Sequence, residues 1–381
     1  MLRLAPNRMP EFGRACRGQF LLDHLVAQLN HGSFGATPRL VRDAAEAWRR
    51  RMEEDPTHFV RRIWPVAIAE ARQKLAAFLN ADADGLAFVE NATQGANAVL
   101  RSLDLGPGDS IVTTEHGYRA VAKTVDYVCR RAGAAHVRLA QKRTPAEIAK
   151  KLPPKTKLLI VDHITSPSAL VLPIAEILAA VRPLGVPVLV DGAHAPGQLA
   201  LDLAALGADF YIGNCHKWVF AAKGAAFLSV APEWRSRLHP PTISHGLDQG
   251  LAAEFDWIGT RDVGAWLSVP DGIAFGASYG WDKIRTHNNN LCAAMAARLA
   301  AAYGTEIRGG AHMAAIRLPL SGEIDEARAL RLLARLYDKV RVQAPVTVFD
   351  GALWVRVSAQ IYNEAADYDR LAELDWATLD A

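Results

Sequence analysis

Two short segments carry the chemistry of this chain: Val190-Asp191-Gly192-Ala193-His194 and, beyond an intervening apolar run, Asn214-Cys215-His216-Lys217-Trp218. An aspartate ending one buried strand and a lysine just past the end of the next lie on one rim of a parallel sheet, where open α/β sheets bind ligands. A lysine amine can condense with a carbonyl, and a nearby carboxylate can keep a heterocyclic nitrogen protonated. Together they are the equipment for pyridoxal phosphate chemistry. Taken singly, an aspartate is more often a cap or turn residue and a lysine a surface charge. The surroundings decide between these readings. Lys217 is flanked by His216 and Trp218 rather than by the charged or small polar neighbours of a solvated lysine.

The elements that must position these groups are legible as apolar runs. Gly185 to Val190 and Ala208 to Gly213 are short and rich in β-formers, as expected for strands covered on both faces, and Gly224 leads into a third run, Ala225 to Val230. Upstream, Leu86 to Val89 reads as a strand and Thr93 to Leu103 as a helix. Gly106 to Asp109 reads as a turn, and Ser110 to Thr113 as a second strand. Ala120 to Arg131 reads as a helix, Thr144-Pro145-Ala146-Glu147 as a capping box, Lys157 to Asp162 as a strand and Pro173 to Arg182 as a helix. Strands alternating with helices imply parallel strands. After about residue 280 the pattern changes. A long helix at Trp281 to Tyr303 precedes Met313 to Leu318, a helix at Glu323 to Tyr337, a strand at Leu353 to Val357 and an acidic helix. The expected organisation is an N-terminal segment (1–20), a large cofactor-binding domain (21–275) and a small C-terminal α+β domain (276–381).

The same rim supplies further candidates. Glu90-Asn91-Ala92-Thr93-Gln94-Gly95 links a strand to a helix, so Thr93, with Ala92 and Gln94 beside it, lies at the positive end of a helix dipole where a phosphate could dock. An ordinary Thr N-cap is the plain alternative. His116 or Tyr118, in Glu115-His116-Gly117-Tyr118, could lie flat on a pyridine ring. Ser166 could hydrogen-bond the phenolic oxygen of the cofactor. Asn214, at the end of the strand before Lys217, and His194, three residues after Asp191, belong to the same region.

Composition sets the class. With 381 residues, half of them hydrophobic, the chain can bury a large core, and its formal charge of +3 is small for this length. No basic cluster interleaved with aromatics argues for nucleic acid, and no apolar run approaches a membrane span. The basic N-terminus lacks the continuous apolar stretch of a signal peptide. Cys16, Cys129, Cys215 and Cys292 have no metal-like spacing, so free thiols in the cytoplasm and no bound metal are expected.

Six segments together carry a resemblance. They are Leu29 to Gly35 (LNHGSFG), Asn91 to Gly95 (NATQG), Asp191 to His194 (DGAH), His216 to Trp218 (HKW), Gly259 to Asp262 (GTRD) and Arg356 to Asn363 (RVSAQIYN). The chain resembles the isopenicillin N epimerase-like branch of the class V aminotransferases, within fold type I of the pyridoxal phosphate enzymes. The resemblance implies a mostly parallel, seven-stranded sheet between helices and a homodimer with active sites at the subunit interface. It implies that Lys217 carries the cofactor, Asp191 partners the pyridine nitrogen and His116 stacks on the ring. Thr93, His216 and, from the neighbouring subunit, Thr260 would hold the phosphate. Arg356 would clamp the substrate carboxylate, a role suited to its planar fork; by position alone it reads as an edge-strand charge. Asn30, His31, Ser33, Phe59 and Arg61 are candidates for shaping the substrate pocket.

The chemistry expected is removal of the α-proton of an amino acid or amino-acid conjugate by Lys217, provided burial lowers its pKa. Three outcomes stay open: epimerisation, expulsion of a β or γ substituent by a lyase, and transamination. Cysteine desulfurases of the superfamily use a loop cysteine before the carboxylate-binding arginine. Residues 344–352 contain none, so a desulfurase of that type is disfavoured, whereas a lyase expelling sulfur directly is not.

Overall fold

The computed structural model describes residues 9–141 and 143–381; the first eight residues of the expected N-terminal segment lie outside them. Its centre is a sheet of seven strands. In chain order these are β1 (Leu86–Val89), β2 (Ser110–Thr114), β3 (Ala135–Leu139), β4 (Thr156–Asp162), β5 (Val188–Asp191), β6 (Phe210–Asn214) and β7 (Ala226–Val230). Across the sheet the order is β1-β7-β6-β5-β4-β2-β3. Only β7 runs against its neighbours, pairing antiparallel with both β1 and β6. The C-terminal ends of β4, β5 and β6 therefore lie side by side, with Asp162 in register with Asp191 and Asp191 with Ile212.

Burial on both faces explains the continuous apolar runs. In β4, Leu159 and Val161 pack on one side with Trp64, Ile68 and Leu75 of the helix Trp64–Leu79. Leu158 and Ile160 pack on the other with Val99 and Val125, from the helices Ala92–Arg101 and Arg119–Ala132. The expected helices and strands in this region fall within a few residues of the observed ones, and the Thr144–Glu147 capping box forms.

A second, antiparallel sheet stands on the C-terminal part of the chain: β8 (Ile307–Gly310), β9 (Met313–Arg317), β10 (Val346–Phe349) and β11 (Ala352–Ser358), in the order β10-β11-β9-β8. Its core joins Ile316, Val355 and Val357 to Leu299 of the 23-residue helix Trp281–Tyr303. Because β11 is hydrogen-bonded on both sides, Arg356 sits on a central strand and not on an edge. Among the described residues no helix is long and apolar enough to cross a membrane.

Residues far apart in the chain meet under Lys217. Gly35 has φ +70°, and a Cβ there would lie 2.0 Å from the His216 carbonyl oxygen. Gly197, at φ +89°, would bring a Cβ to 2.3 Å from that of Trp218. Two glycines thus press on the turn that carries the lysine, and only residues without a side chain permit that approach. Gly35→Ala is expected to destabilise the fold by on the order of 3 kcal/mol, from backbone strain plus overpacking. An unchanged urea unfolding midpoint would show that the turn is not clamped in this way.

Candidate functional site

Lys217 lies in a single helical turn, Cys215–Trp218, that begins where β6 ends. The chain must reverse there to enter β7, and the His216 Nδ1–H and the backbone N–H groups of Cys215 and His216 all donate to the Ala225 carbonyl. The lysine side chain is buried, with its amine donating to His194 Nε2 at 3.2 Å. Burial, reinforced by the Arg356 charge, pushes the amine down to about 7. An ordinary lysine would be almost fully charged at neutral pH; this one is available as a base.

Asp191 ends β5 and is 2% exposed. Its Oδ1 accepts the Ala193 N–H at 3.0 Å, while its Oδ2 is buried without a partner among the described residues. His194 Nδ1 is buried without a partner as well, and burial, with Lys217 and Arg356 nearby, holds that imidazole neutral. An unpartnered buried carboxylate oxygen costs free energy unless something arrives to use it.

Arg356 shows the converse. It is 4% exposed, and one arm of its guanidinium donates to the Ser166 carbonyl oxygen and, at 3.3 Å, to Ser166 Oγ. The other arm donates to Ser33 Oγ at 3.0 Å and to Asn30 Oδ1 at 3.3 Å. Among the described residues every partner of this buried cation is neutral, so a bound carboxylate would supply the missing charge.

The cavity between these groups has a volume of about 690 Å³ and is lined by residues that include Ser33, Thr93, Tyr118, Asp162, Ser166, Asp191, His194, Asn214, His216 and Lys217. Thr93 stands in the first turn of the helix Ala92–Arg101, and the cap is Asn91, whose side chain accepts the Gln94 N–H at 2.9 Å. Thr93 is therefore not the N-cap and faces the cavity. The Ala92 N–H is taken by Asn214 Oδ1 at 2.9 Å, and Gln94 accepts the Glu90 N–H rather than reaching inward. The cationic residues Arg49, Lys223 and Arg261 also border the cavity, with Arg261 paired to Glu90 and resting 4.0 Å above the Trp266 ring.

Several expected contacts fall elsewhere. His116 is not on the cavity lining: its Nδ1 meets Ser168 Oγ at 2.9 Å and its Nε2 meets Asp350 Oδ1 at 3.3 Å, so Tyr118 faces the cavity in its place. His31 lies beneath the lysine turn, where its Nε2–H donates to the Lys217 carbonyl at 2.8 Å and its Nδ1 accepts from Tyr362 at 3.0 Å. That is a place for holding the turn rather than for touching substrate. Phe59 belongs to the core, and Arg61 is exposed. Thr260 is exposed and lies off the cavity of its own chain. All four cysteines are buried, and none lines the cavity.

Comparison with known proteins gives this arrangement a family. The aminotransferase class V profile matches residues 60–371. The chain belongs to the class V aminotransferase family. Among its relatives, the isopenicillin N epimerase of Streptomyces clavuligerus is 32% identical over 389 residues, covering 94% of this chain and 96% of that protein. The L-cysteine desulfhydrase of Arabidopsis thaliana is 30% identical over 393 residues, covering 91% and 87%. In fold, the chain is similar to the cystine C–S lyase C-DES in complex with its product cysteine persulfide, with a TM-score of 0.78 and 22% identity over 93% of this chain and 97% of that one. This class V chain is a pyridoxal phosphate-dependent enzyme. Its residues fit the group: an unpartnered carboxylate oxygen, a lysine with a depressed pKa and a helix N-terminus open onto one cavity.

Proposed function

We propose that this enzyme removes the α-proton of an amino acid or amino-acid conjugate and returns it, acting as an epimerase of the isopenicillin N epimerase kind. The observation that carries the reading is the convergence of the Lys217 amine and the unpartnered Asp191 Oδ2 on one cavity, with the buried Arg356 charge held by Ser33 and Ser166 of its lining. Bound pyridoxal phosphate would supply an electron-withdrawing ring that acidifies the α-carbon. Asp191 would hold the proton of the ring nitrogen. Thr93, His216 and the N-terminus of the helix Ala92–Arg101 would hold the phosphate, completed in a homodimer by Thr260 of the partner subunit. Tyr118 would cover the ring, Ser166 would donate to its phenolic oxygen, and Lys217 would carry the α-proton.

Arg356 would bind the substrate carboxylate, with Asn30 and Ser33 fixing its fork. For Arg356→Ala we expect KM to rise by about 10- to 100-fold, the size of a lost charge-assisted pair, with a smaller fall in kcat. Arg356→Lys would rescue little, because an ammonium cannot reproduce the planar fork. Steady-state kinetics on the amino acid that exchanges fastest would check this, and a KM within twofold of wild type would remove Arg356 from the binding role.

A second reading, a carbon–sulfur lyase, draws on the desulfhydrase relatives and on the buried cysteines. With no cavity thiol to accept sulfur, such an enzyme would expel it directly to solvent. Proton NMR in heavy water, with L-amino acids and cysteine conjugates, separates the two. Fading α-proton signals with intact side chains support the epimerase, and pyruvate from a cysteine derivative supports the lyase. Absence of both α-exchange and keto acid across the pool would overturn the proposal.

A further inference from the structure

Asp162 is a buried carboxylate that the chemistry above does not use. It ends β4 in register with Asp191 at the end of β5. Paired residues on adjacent parallel strands project to the same face at about 4.8 Å spacing. Both line the same cavity, at 4% and 2% exposure. The loop opposite comes close: a Cβ on Gly117 would lie 3.4 Å from Asp162 Oδ2 and 3.0 Å from the Thr114 carbonyl oxygen, and the Tyr118 N–H reaches the Asp162 carboxylate.

The charges facing these two acids are few. Among the described residues Lys217 is the one cation that acts on both, and it is itself half neutral near pH 7. Tyr211, on β6 beside Asp191, stays a neutral phenol because burial and the Asp191 charge both hold its proton. His163, next along the chain from Asp162, is neutral by burial. Two buried carboxylates at neighbouring strand ends do not both ionise cheaply; they divide into one anion and one acid. Each acid has a backbone donor, the Tyr118 N–H for Asp162 and the Ala193 N–H for Asp191, and burial pushes both carboxyls up, Asp162 further because the Asp191 charge adds to it.

Building on the reading of Asp191 as the ring-nitrogen partner, we propose that Asp162 and Asp191 form a functional carboxylate pair holding one proton between them. The site then presents one negative charge to the cofactor ring, with a neutral O–H donor beside it. Asp162 sets the charge of the site, and Asp191 uses it.

The test is infrared difference spectroscopy of the apoprotein at neutral pH, with and without carbon-13 aspartate. A protonated-carboxyl band that shifts with the label and in heavy water is expected in wild type and absent in Asp162→Asn. Its titration midpoint should fall by roughly one pH unit or more in Asp191→Asn. No such band in wild type, a band that survives Asp162→Asn, or a midpoint unmoved by Asp191→Asn would overturn the proposal. In the holoprotein, Asp162→Asn preserves a neutral donor, so cofactor affinity should change by less than about tenfold; a larger loss would mean that Asp162 acts as an anion. The apoprotein signal needs neither cofactor nor turnover, so failure of the catalytic reading would not be mistaken for failure of this one.

Discussion

Replacing Lys217 by alanine should abolish useful turnover while leaving the fold intact. A positioned general base contributes roughly 10²- to 10⁴-fold to rate, and loss of the covalent attachment point adds to that. The lysine is suited to the part because burial has already brought it to about 7, so near neutral pH about half of it is an unprotonated amine. The amine also sits within reach of His194 rather than of solvent. Removing a buried ionisable group that no salt bridge compensates among the described residues should leave the unfolding midpoint unchanged or raise it. Lys217→Arg would be as inactive as the alanine variant, since a guanidinium does not release its proton. The check is α-proton exchange in heavy water beside a urea melt of each variant. Full exchange in Lys217→Ala would end the catalytic assignment.

The second large effect is acid lability. Five histidines are held as neutral rings: His31 and His312 are pushed down to about 3, His163 and His216 to about 4, and His194 well below its ordinary value, each chiefly by loss of solvent. In the unfolded chain these rings take up protons as pH falls through about 6.5, whereas in the folded chain they do not until about 4 or lower. The unfolded state therefore binds more protons across this window, and stability falls as pH falls, by up to about 1.4 kcal/mol per unit for each ring. Asp162, Asp191 and Lys217 act in the opposite sense. The folded acids have raised pKa values and bind protons before the unfolded chain does, and the folded lysine, at about 7, takes up a proton in this window that the unfolded chain already holds. The histidines outnumber them, and the net loss expected between pH 7 and 5.5 is on the order of 3 kcal/mol for the apoprotein. Urea midpoints at the two pH values measure it; equal midpoints would show that the buried rings accept protons without unfolding.

What could be read from the sequence follows from where the chemistry sits. Asp191, Lys217 and Thr93 stand immediately beyond apolar runs, and a parallel sheet brings such strand ends to one rim whatever the detailed register. β3 escaped notice because it is an outer strand: Ala135, His136 and Arg138 leave it only partly buried and break the apolar run that marked the others. The strand end at Thr114 leaves His116 and Tyr118 equally able to reach the ring, and only the resemblance singles out His116. Its actual partner, Asp350, is 234 residues away on the β10–β11 turn, a contact that only tertiary structure reveals. Asp162 stood in plain view as the last residue of a strand. Its significance depends on sharing a register position with Asp191, and register is set by pairing, not by composition. Arg356 was identified through resemblance alone, since nothing in its sequence shows that β11 is flanked by strands on both sides.

The turn beneath Lys217 also sets an order of assembly. Its underside is finished by residues near opposite ends of the polypeptide: the Ser358 N–H donates to the Leu29 carbonyl, the His31 N–H to Ser358 Oγ, and Tyr362 meets His31. A ribosome delivers residues 29–35 more than three hundred positions before their partners. The seven-stranded sheet can close while the lysine platform still lacks its support, so a nascent chain passes through a stage with a complete sheet and an unfinished site. Productive capture of the cofactor then waits until β11 and the residues just after it have emerged, and the enzyme cannot be switched on piecemeal as it is made.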